Sequence, residues 1–278
     1  MNENKLNIGI QGVKGSYHHL VAQNYFKENF LIEECYSFDQ LIDGILKTKI
    51  DKGVMAIENS IAGSIIPNYA LIDQNELKIV GESYFNIDHN LMALEGETIR
   101  TIKEVYSHPM ALLQCKSFFN NYPHIRLVES EDTADEARRI SKNRLNGIAA
   151  IGSPEAAKLY GLNILYKSIQ TIKKNITRFV IIQKDSDEIN IKKIDKASLK
   201  FILDDKRGSL AAVLNAMSDC KLNLTKIQSL PVIEKPGKYA FFVDVIFDNI
   251  NDYFKAKKIL SIMASHFKIL GEYLNGKK

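Results

Sequence analysis

The chain has 278 residues, long enough for one large domain or two or three modest ones. With 45% hydrophobic and 25% charged residues it reads as an ordinary globular protein, and a net charge of +4 is too small and dispersed for nucleic acid while suiting a small anionic ligand. No apolar run reaches the roughly 18 residues of a membrane span; "MNENKLNIGI" lacks a secretory pattern; and the scattered Cys35, Cys115 and Cys220 read as reduced core thiols, so a cytoplasmic protein is expected.

In chain order, "LNIGI", "GVMAI", "KEVYS" and "GIAAI" read as strands. Between them "YHHLVAQNYF", "SFDQLIDGILK", "MALLQCKSFFNNY", "TADEARRI" and "SPEAAKLYG" read as helices. This alternation predicts βαβ units and a mostly parallel sheet. Ser153, Pro154 and Gly161 punctuate one helix as N-cap, first turn and stop, and Thr133 with Glu136 fits a capping box in another. "QKDSDEINIKKIDK", Gln183 to Lys196, has little apolar period and reads as a linker or an edge excursion. After it come strand "SLKFILD", helix "GSLAAVLNAMSDC", strand "NLTKIQSLPVIE", a turn at Lys235-Pro236-Gly237, strand "YAFFVDVIF", helix "DYFKAKKILSIMASH" and strand "FKILGEYL". That order is β-α-β-β-α-β, a ferredoxin-like sandwich.

Polar residues cluster just after the strands, in "GIQGVKGSY", "IENSIAGS" and "SHPMALLQ". In open α/β sheets this is where ligands bind, beside helix N-termini that favour anions. "GIQGVKGS" matches neither phosphate-loop nor dinucleotide spacing, which leaves a tight strand-to-helix turn or an anion-holding turn without nucleotide. Glu58, Asn59, Ser60 and Ser64 could cap a helix, or could hold and protonate a substrate hydroxyl. His108 reads as the end of a strand capping the next helix, or as an acid/base. Adjacent His18 and His19 point apart, and no spacing suggests zinc. In "NITRFVII", Arg178 could be a solvated residue at a strand start, or its planar fork could take a carboxylate while Thr177 meets a hydroxyl.

Together "GVKGSYHHLVA", "AIENSIAGS", "SHPMALLQC", "DTADEA", "AAIGSPEAAKLYGL" and "NITRF" resemble a monofunctional prephenate dehydratase with a C-terminal ACT regulatory domain, over nearly the whole chain. The resemblance implies an α/β fold whose catalytic region, residues 1–185, has two lobes like those of periplasmic binding proteins. These would be roughly 1–80 with 175–185, and 81–174, with substrate in the cleft between them. A linker at 186–196 and a ferredoxin-like βαββαβ ACT domain at 197–278 would follow. The implied reaction is loss of water and carbon dioxide from prephenate, giving phenylpyruvate, without metal or organic cofactor. Thr177 and Glu58 are then the expected catalytic residues, Thr177 as hydrogen-bond donor to the leaving oxygen and Glu58 as a possible proton source. Arg178, Asn59, Ser60, Ser107, Gln114, Phe179 and Thr133 are the expected substrate contacts, and the resemblance maps Glu131 to the polar pocket as well.

The resemblance also implies a homodimer or homotetramer, and phenylalanine as effector near Gly208, Ser209, Leu210, Asn223, Leu224, Gln228, Ser229 and Pro231. Two departures stand out. Met110 occupies a position where the family usually has glutamine, and "QSLP", Gln228 to Pro231, stands where the family commonly has Glu-Ser-Arg-Pro. An arogenate dehydratase and a non-catalytic amino-acid-sensing binding protein remain alternatives.

Overall fold

The structure is a computed structural model that describes residues 5–185, 194–232 and 238–277. The turn expected at Lys235-Pro236-Gly237 and most of the expected linker lie outside the described residues. The chain divides into two compact units, Met1–Asn68 with Ser83–Phe179, and Tyr69–Glu82 with Val180–Lys278.

The first unit opens with β1 (Leu6–Gln11), α1 (Tyr17–Phe26), β2 (Phe30–Cys35), α2 (Phe38–Leu46) and β3 (Lys52–Asn59). β1 pairs parallel with β2 and β3, as βαβ connections require. The middle of β3, Gly53 to Ile57, is wholly buried, the continuous apolar run of a covered parallel strand. A short β4 (Gly63–Ser64) folds back on its end. Then come α3 (Ile66–Gln74) and β5 (Lys78–Asn86), which the sequence reading did not separate from loop.

A second lobe holds β6 (Asn90–Ala93), β7 (Glu104–Ser107), α4 (Pro109–Phe119), β8 (Arg126–Glu129), α5 (Thr133–Asn143), β9 (Ile148–Gly152), α6 (Pro154–Leu159) and β10 (Asn163–Tyr166). Its sheet runs β10-β6-β9-β7-β8, with β7 parallel to β8 and β9, and β6 antiparallel to β9 and β10. The chain then enters β11 (Ile176–Gln183), which neighbours β3 in the strand order. The α5 cap differs from the reading by one residue. Asp132 is the N-cap, its Oδ1 accepting from Ala134 and Asp135 N–H, and Thr133 begins the helix. A carboxylate satisfies two of the free donors and meets the dipole, where the hydroxyl would satisfy one.

The second unit contains β12 (Lys196–Leu203), α7 (Ser209–Asp219), β13 (Asn223–Pro231), β14 (Tyr239–Ile246), α8 (Ile250–Met263) and β15 (Ser265–Tyr273). The antiparallel order β13-β14-β12-β15 with two helices is the expected ferredoxin-like arrangement. Lys196, read as the last linker residue, instead opens β12, fully buried, with Nζ 2.9 and 2.8 Å from the two oxygens of buried Glu82. The Tyr69–Glu82 stretch, expected in the first lobe up to residue 80 and in the second from residue 81, belongs to this unit for the same physical reason. Besides Glu82, its Asp73 pairs with Lys200 and Lys268, and the Tyr69 ring packs against Phe242. Gly271 is required where β15 meets β5, because a Cβ there would stand 2.2 Å from the Ile79 carbonyl oxygen.

Candidate active site

A cavity of about 370 Å³ opens in the first unit, lined from both of its lobes. The first lobe contributes Ser16, Tyr17 and His18 at the start of α1, Asn59 and Ala62 after β3, and Thr177 and Phe179 from β11. The second contributes His89, His108, Met110, Gln114, Glu131, Asp132 and Thr133. Ser16, His108 and Asp132 are the N-caps of α1, α4 and α5, so three helices begin at the cavity wall. Ser153 Oγ of the second lobe donates to the Gly15 carbonyl and Tyr160 Oη to that of Lys14, which fixes the first lobe's Gly-rich turn against the second.

One hydrogen-bonded chain crosses the wall, and its polarity is determined at one end. Asn59 Oδ1 accepts from the Ile61 and Ala62 backbone N–H groups, at 2.9 Å each. Backbone N–H can only donate, so the other end of that amide is Nδ2, and it donates to Asn175 Oδ1 (2.7 Å) and Thr177 Oγ1 (2.8 Å). Thr177 is therefore an acceptor at Asn59, and its own hydroxyl hydrogen is free for the cavity. The direction propagates. Asn175 Nδ2 donates to Gln114 Oε1 (2.8 Å), so the Gln114 NH₂ group is left for the cavity. Gln114 Oε1 also receives His89 Nε2–H (3.0 Å), and the His89 Nδ1 faces the Tyr17 hydroxyl at 3.2 Å. Burial holds the His89 imidazole down at a pKa of about 4 and pushes Tyr17 well above the phenol range, so the whole relay is neutral.

The sequence-read residues divide. Thr177, Asn59, Gln114, Phe179, Thr133 and Glu131 line the cavity. Arg178 and Glu58 do not. Successive residues of a strand point to opposite faces, so Thr177 and Phe179 turn Arg178 away, and Asn59 does the same to Glu58. Arg178 is buried on that other face, 3.8 Å from Glu58, whose side chain is 40% exposed. The expected pairing of hydroxyl and guanidinium in one cleft is corrected accordingly. Ser107, also expected to touch substrate, is wholly buried and donates to the Ile151 carbonyl at 2.8 Å, tying β7 to β9. Ser60 accepts from the Ile176 N–H outside the cavity lining. Met110 does line the cavity, in the place where the resemblance expected an amide.

His108 caps α4, its Nδ1 accepting from the Met110 N–H at 3.2 Å, and lines the cavity as well. His18 and His19 do diverge. His19 Nδ1 accepts from Gly15 N–H, while the His18 ring lies edge-on between Phe38 and Phe179 with its Nε2 buried and unbonded. Desolvation lowers the His18 pKa to about 4, so this ring is neutral too. Sequence reading missed the roles of Tyr17, His89 and Asp132. "NIDHNLMAL", three polar residues interrupting an apolar run, was the available signal for His89.

In the second unit, Gly208, Ser209 and Leu210 line a hollow of about 270 Å³ with Leu203, Asp204, Tyr239 and Phe241. The other expected effector residues, Asn223, Leu224, Gln228, Ser229 and Pro231, lie along the edge strand β13 and are not among those lining it.

The family model described as prephenate dehydratase matches residues 8–187. Among curated proteins, the chain is 34% identical over 250 residues to a bifunctional chorismate mutase/prephenate dehydratase of Buchnera aphidicola (subspecies Schizaphis graminum). That match covers 88% of this chain and 65% of the relative's length. It is 33% identical to arogenate dehydratase/prephenate dehydratase 2 of Arabidopsis thaliana, covering 98% of this chain and 74% of that one. Among solved structures, the prephenate dehydratase of Staphylococcus aureus Mu50 superposes with a TM-score of 0.81 at 26% identity, covering 96% of this chain and all of that one. The chain belongs to the prephenate dehydratase family.

Proposed function

We propose that the protein is a prephenate dehydratase, converting prephenate to phenylpyruvate, water and carbon dioxide. The observation that carries this reading is the fixed polarity of the Asn59–Thr177–Asn175–Gln114 relay, which leaves a hydroxyl and an amide NH₂ as donors on the cavity wall. In the reaction the bond from the ring to its carboxylate breaks as carbon dioxide, and its electron pair enters the ring as the ring C–O bond breaks. The departing oxygen gathers negative charge, and a donor already aimed at it stabilises that charge without reorganisation. Thr177 is that donor, and Gln114 a second candidate on the same wall. Thr177 is too weak an acid to give up its proton, so the water's second hydrogen comes from elsewhere. Glu58, outside the cavity lining, is no longer the choice for it.

The substrate's carboxylates are held in this reading by the helix starts at Ser16 and His108 rather than by Arg178. The C-terminal βαββαβ unit is assigned as an ACT domain, with phenylalanine binding at the Gly208–Leu210 turn and side-by-side pairing of subunits. The absence of the usual acid and arginine from "QSLP" weakens the effector part. The three cysteines are buried and unbridged, consistent with a reducing cytoplasm.

The test is purified protein with prephenate, following phenylpyruvate, with and without millimolar phenylalanine. Turnover that falls roughly 10²–10³-fold in kcat, with KM within a few-fold, in Thr177→Ala supports the assignment. A folded protein that binds aromatic amino acids without turning over any substrate would be the amino-acid-sensing alternative.

A further inference from the structure

Dehydration of prephenate consumes one proton per turnover, because a dianion becomes a monoanion, carbon dioxide and water. In the relay behind Thr177 the hydrogens can be counted. The Asn59 amide is fixed by two backbone N–H groups, so Asn175 and Gln114 present their oxygens in turn. Gln114 Oε1 then takes the hydrogen on His89 Nε2 at 3.0 Å, which leaves Nδ1 of the neutral ring as a bare lone pair. Its partner at 3.2 Å is the Tyr17 hydroxyl, whose one hydrogen already goes to the Asp88 carbonyl at 2.8 Å. Two acceptors thus share a single hydrogen. A proton added at His89 Nδ1 would find a hydrogen-bond acceptor waiting for it in Tyr17 Oη.

The surroundings suit such a proton. Burial alone would raise the pKa of neighbouring Asp88, but hydrogen bonds with Ser168, Gln170 and Asn90 bring it below the usual carboxylate value, so this group is a standing negative charge. Gln170 holds both residues at once, its Nε2 donating to Asp88 Oδ1 and its Oε1 accepting the His89 N–H, each at 3.0 Å. The other titratable groups nearby are Tyr17 from α1, and His108 and Cys115 at α4, and burial favours the neutral form of each. Glu131 and Asp132 stand elsewhere on the cavity wall, which no lysine or arginine lines among the described residues. Burial holds the free His89 ring at a pKa of about 4. Each opposite charge within about 4–6 Å raises such a pKa by about 1–3, so the two carboxylates of the substrate can bring it into the neutral range.

We propose that Tyr17 and His89 form the proton source of the reaction, His89 taking up a proton at Nδ1 as the dianionic substrate enters and Tyr17 passing one to the departing oxygen. The ring-to-carboxylate bond breaks as carbon dioxide, its electron pair enters the ring, and the ring C–O bond breaks with its pair on oxygen. That oxygen takes the Tyr17 hydroxyl hydrogen and leaves as water. Tyr17 Oη regains a hydrogen from His89 Nδ1, so both side chains end neutral and solution reloads His89. Tyr17 alone is as poor an acid as Thr177, but an imidazolium behind it removes the need for a phenolate. Both Tyr17 and His89 line the cavity. When the hydroxyl swings from Asp88, that carbonyl keeps the Asn90 Nδ2 donor at 2.9 Å. Thr177 steadies the charge on the leaving oxygen, and Tyr17 ends it. The inference rests on the dehydratase reading, and supplies the second hydrogen which that reading leaves unassigned.

The experiment mixes the full chain with prephenate in stopped flow, reading a pH indicator in weak buffer and phenylpyruvate separately, and takes kcat from about pH 6.5 to 9. In the unmodified protein, proton uptake is expected to precede phenylpyruvate, and kcat to fall about tenfold per pH unit once His89 in the complex deprotonates. Tyr17→Phe keeps the ring and the early uptake, but lowers kcat roughly 10²-fold with KM within a few-fold. His89→Gln keeps an NH₂ for Gln114 Oε1 and has no place for the proton. It lowers kcat by a similar factor, abolishes the early uptake and flattens the pH profile. Because the two residues act in series, the double variant is expected to be no more than a few-fold slower than either. A slow His89→Gln protein that keeps the early uptake and the pH profile would show a structural role only, and overturns the proposal. So does a folded Tyr17→Phe protein with kcat within about threefold of normal. Uptake in step with phenylpyruvate in the unmodified protein overturns it too, and that measurement needs no variant. All three leave the dehydratase reading standing, whereas a folded protein that turns over no prephenate ends both.

Discussion

Asn59→Asp inverts the polarity of the relay while keeping its shape. One oxygen of the new carboxylate can still accept from the Ile61 and Ala62 N–H groups, so the turn after β3 stays satisfied. The second oxygen, however, now sits 2.8 Å from Thr177 Oγ1 and 2.7 Å from Asn175 Oδ1, where an NH₂ stood. Thr177 responds by donating its hydroxyl to the carboxylate, which withdraws that hydrogen from the cavity. Asn175 must turn its amide over, Gln114 after it, and the Gln114 donor is then replaced by an oxygen. The cost to the reaction is one or two donors at the leaving oxygen, about 3–4 kcal/mol for the first, or roughly 10²–10³ in kcat.

Stability falls by less, on the order of 1–3 kcal/mol, because the hydrogen bonds can be remade in the opposite sense and the residual cost is a partly buried charge. Steady-state phenylpyruvate formation and thermal melting measure the two effects. Because the introduced carboxylate acts only through Thr177 and the amides, Asn59→Asp should add little to Thr177→Ala, and the double variant should be no more than about tenfold worse than Thr177→Ala alone. A folded Asn59→Asp protein with kcat within about threefold of normal would refute the reasoning. Full additivity with Thr177→Ala would refute it as well.

Arg178→Lys is expected to lower the melting temperature while changing KM less than about threefold, because the guanidinium faces Glu58 and not the cavity; a tenfold rise in KM would return it to the substrate. Glu82→Gln removes the carboxylate that the buried Lys196 ammonium faces at 2.8 Å and should cost about 3–5 kcal/mol in urea unfolding. Pairing Glu82→Leu with Lys196→Met should recover most of that loss.

For pH, His18 and His89 are held near pKa 4 against about 6.5 unfolded, so their contribution is complete above pH 6.5 and is lost as pH falls toward 4. Asp132, raised to about 6, acts oppositely over the same window. Near pH 5 these three groups together bind about one net proton more in the unfolded chain and contribute a rise in stability of about 1 kcal/mol per pH unit, and His19 and His108, also lowered by burial, act in the same sense. Asp132→Asn removes the opposing group and should steepen this to about 2 kcal/mol per unit; an unchanged slope would mean that Asp132 does not titrate there.

The sequence by itself determined the alternation of strands and helices in the first two-thirds and the β-α-β-β-α-β order of the last third, because periodicity and turn residues are local properties. It also brought the motifs to the right ends of the strands, so that Asn59, Gln114, Thr133, Thr177 and Phe179 all reach one cavity. Even the separation of Thr177 from Arg178 was implicit there, since neighbours in a strand face opposite ways. What only the tertiary structure decided is who meets whom. Asn59 and Thr177 are 118 residues apart, His89 and Tyr17 are 72, and Gly12, the glycine that makes room for Asp132, lies in another lobe. The direction of the Thr177 hydroxyl follows from two backbone N–H groups fixing an asparagine on a different strand, a constraint that exists only once the strands are side by side.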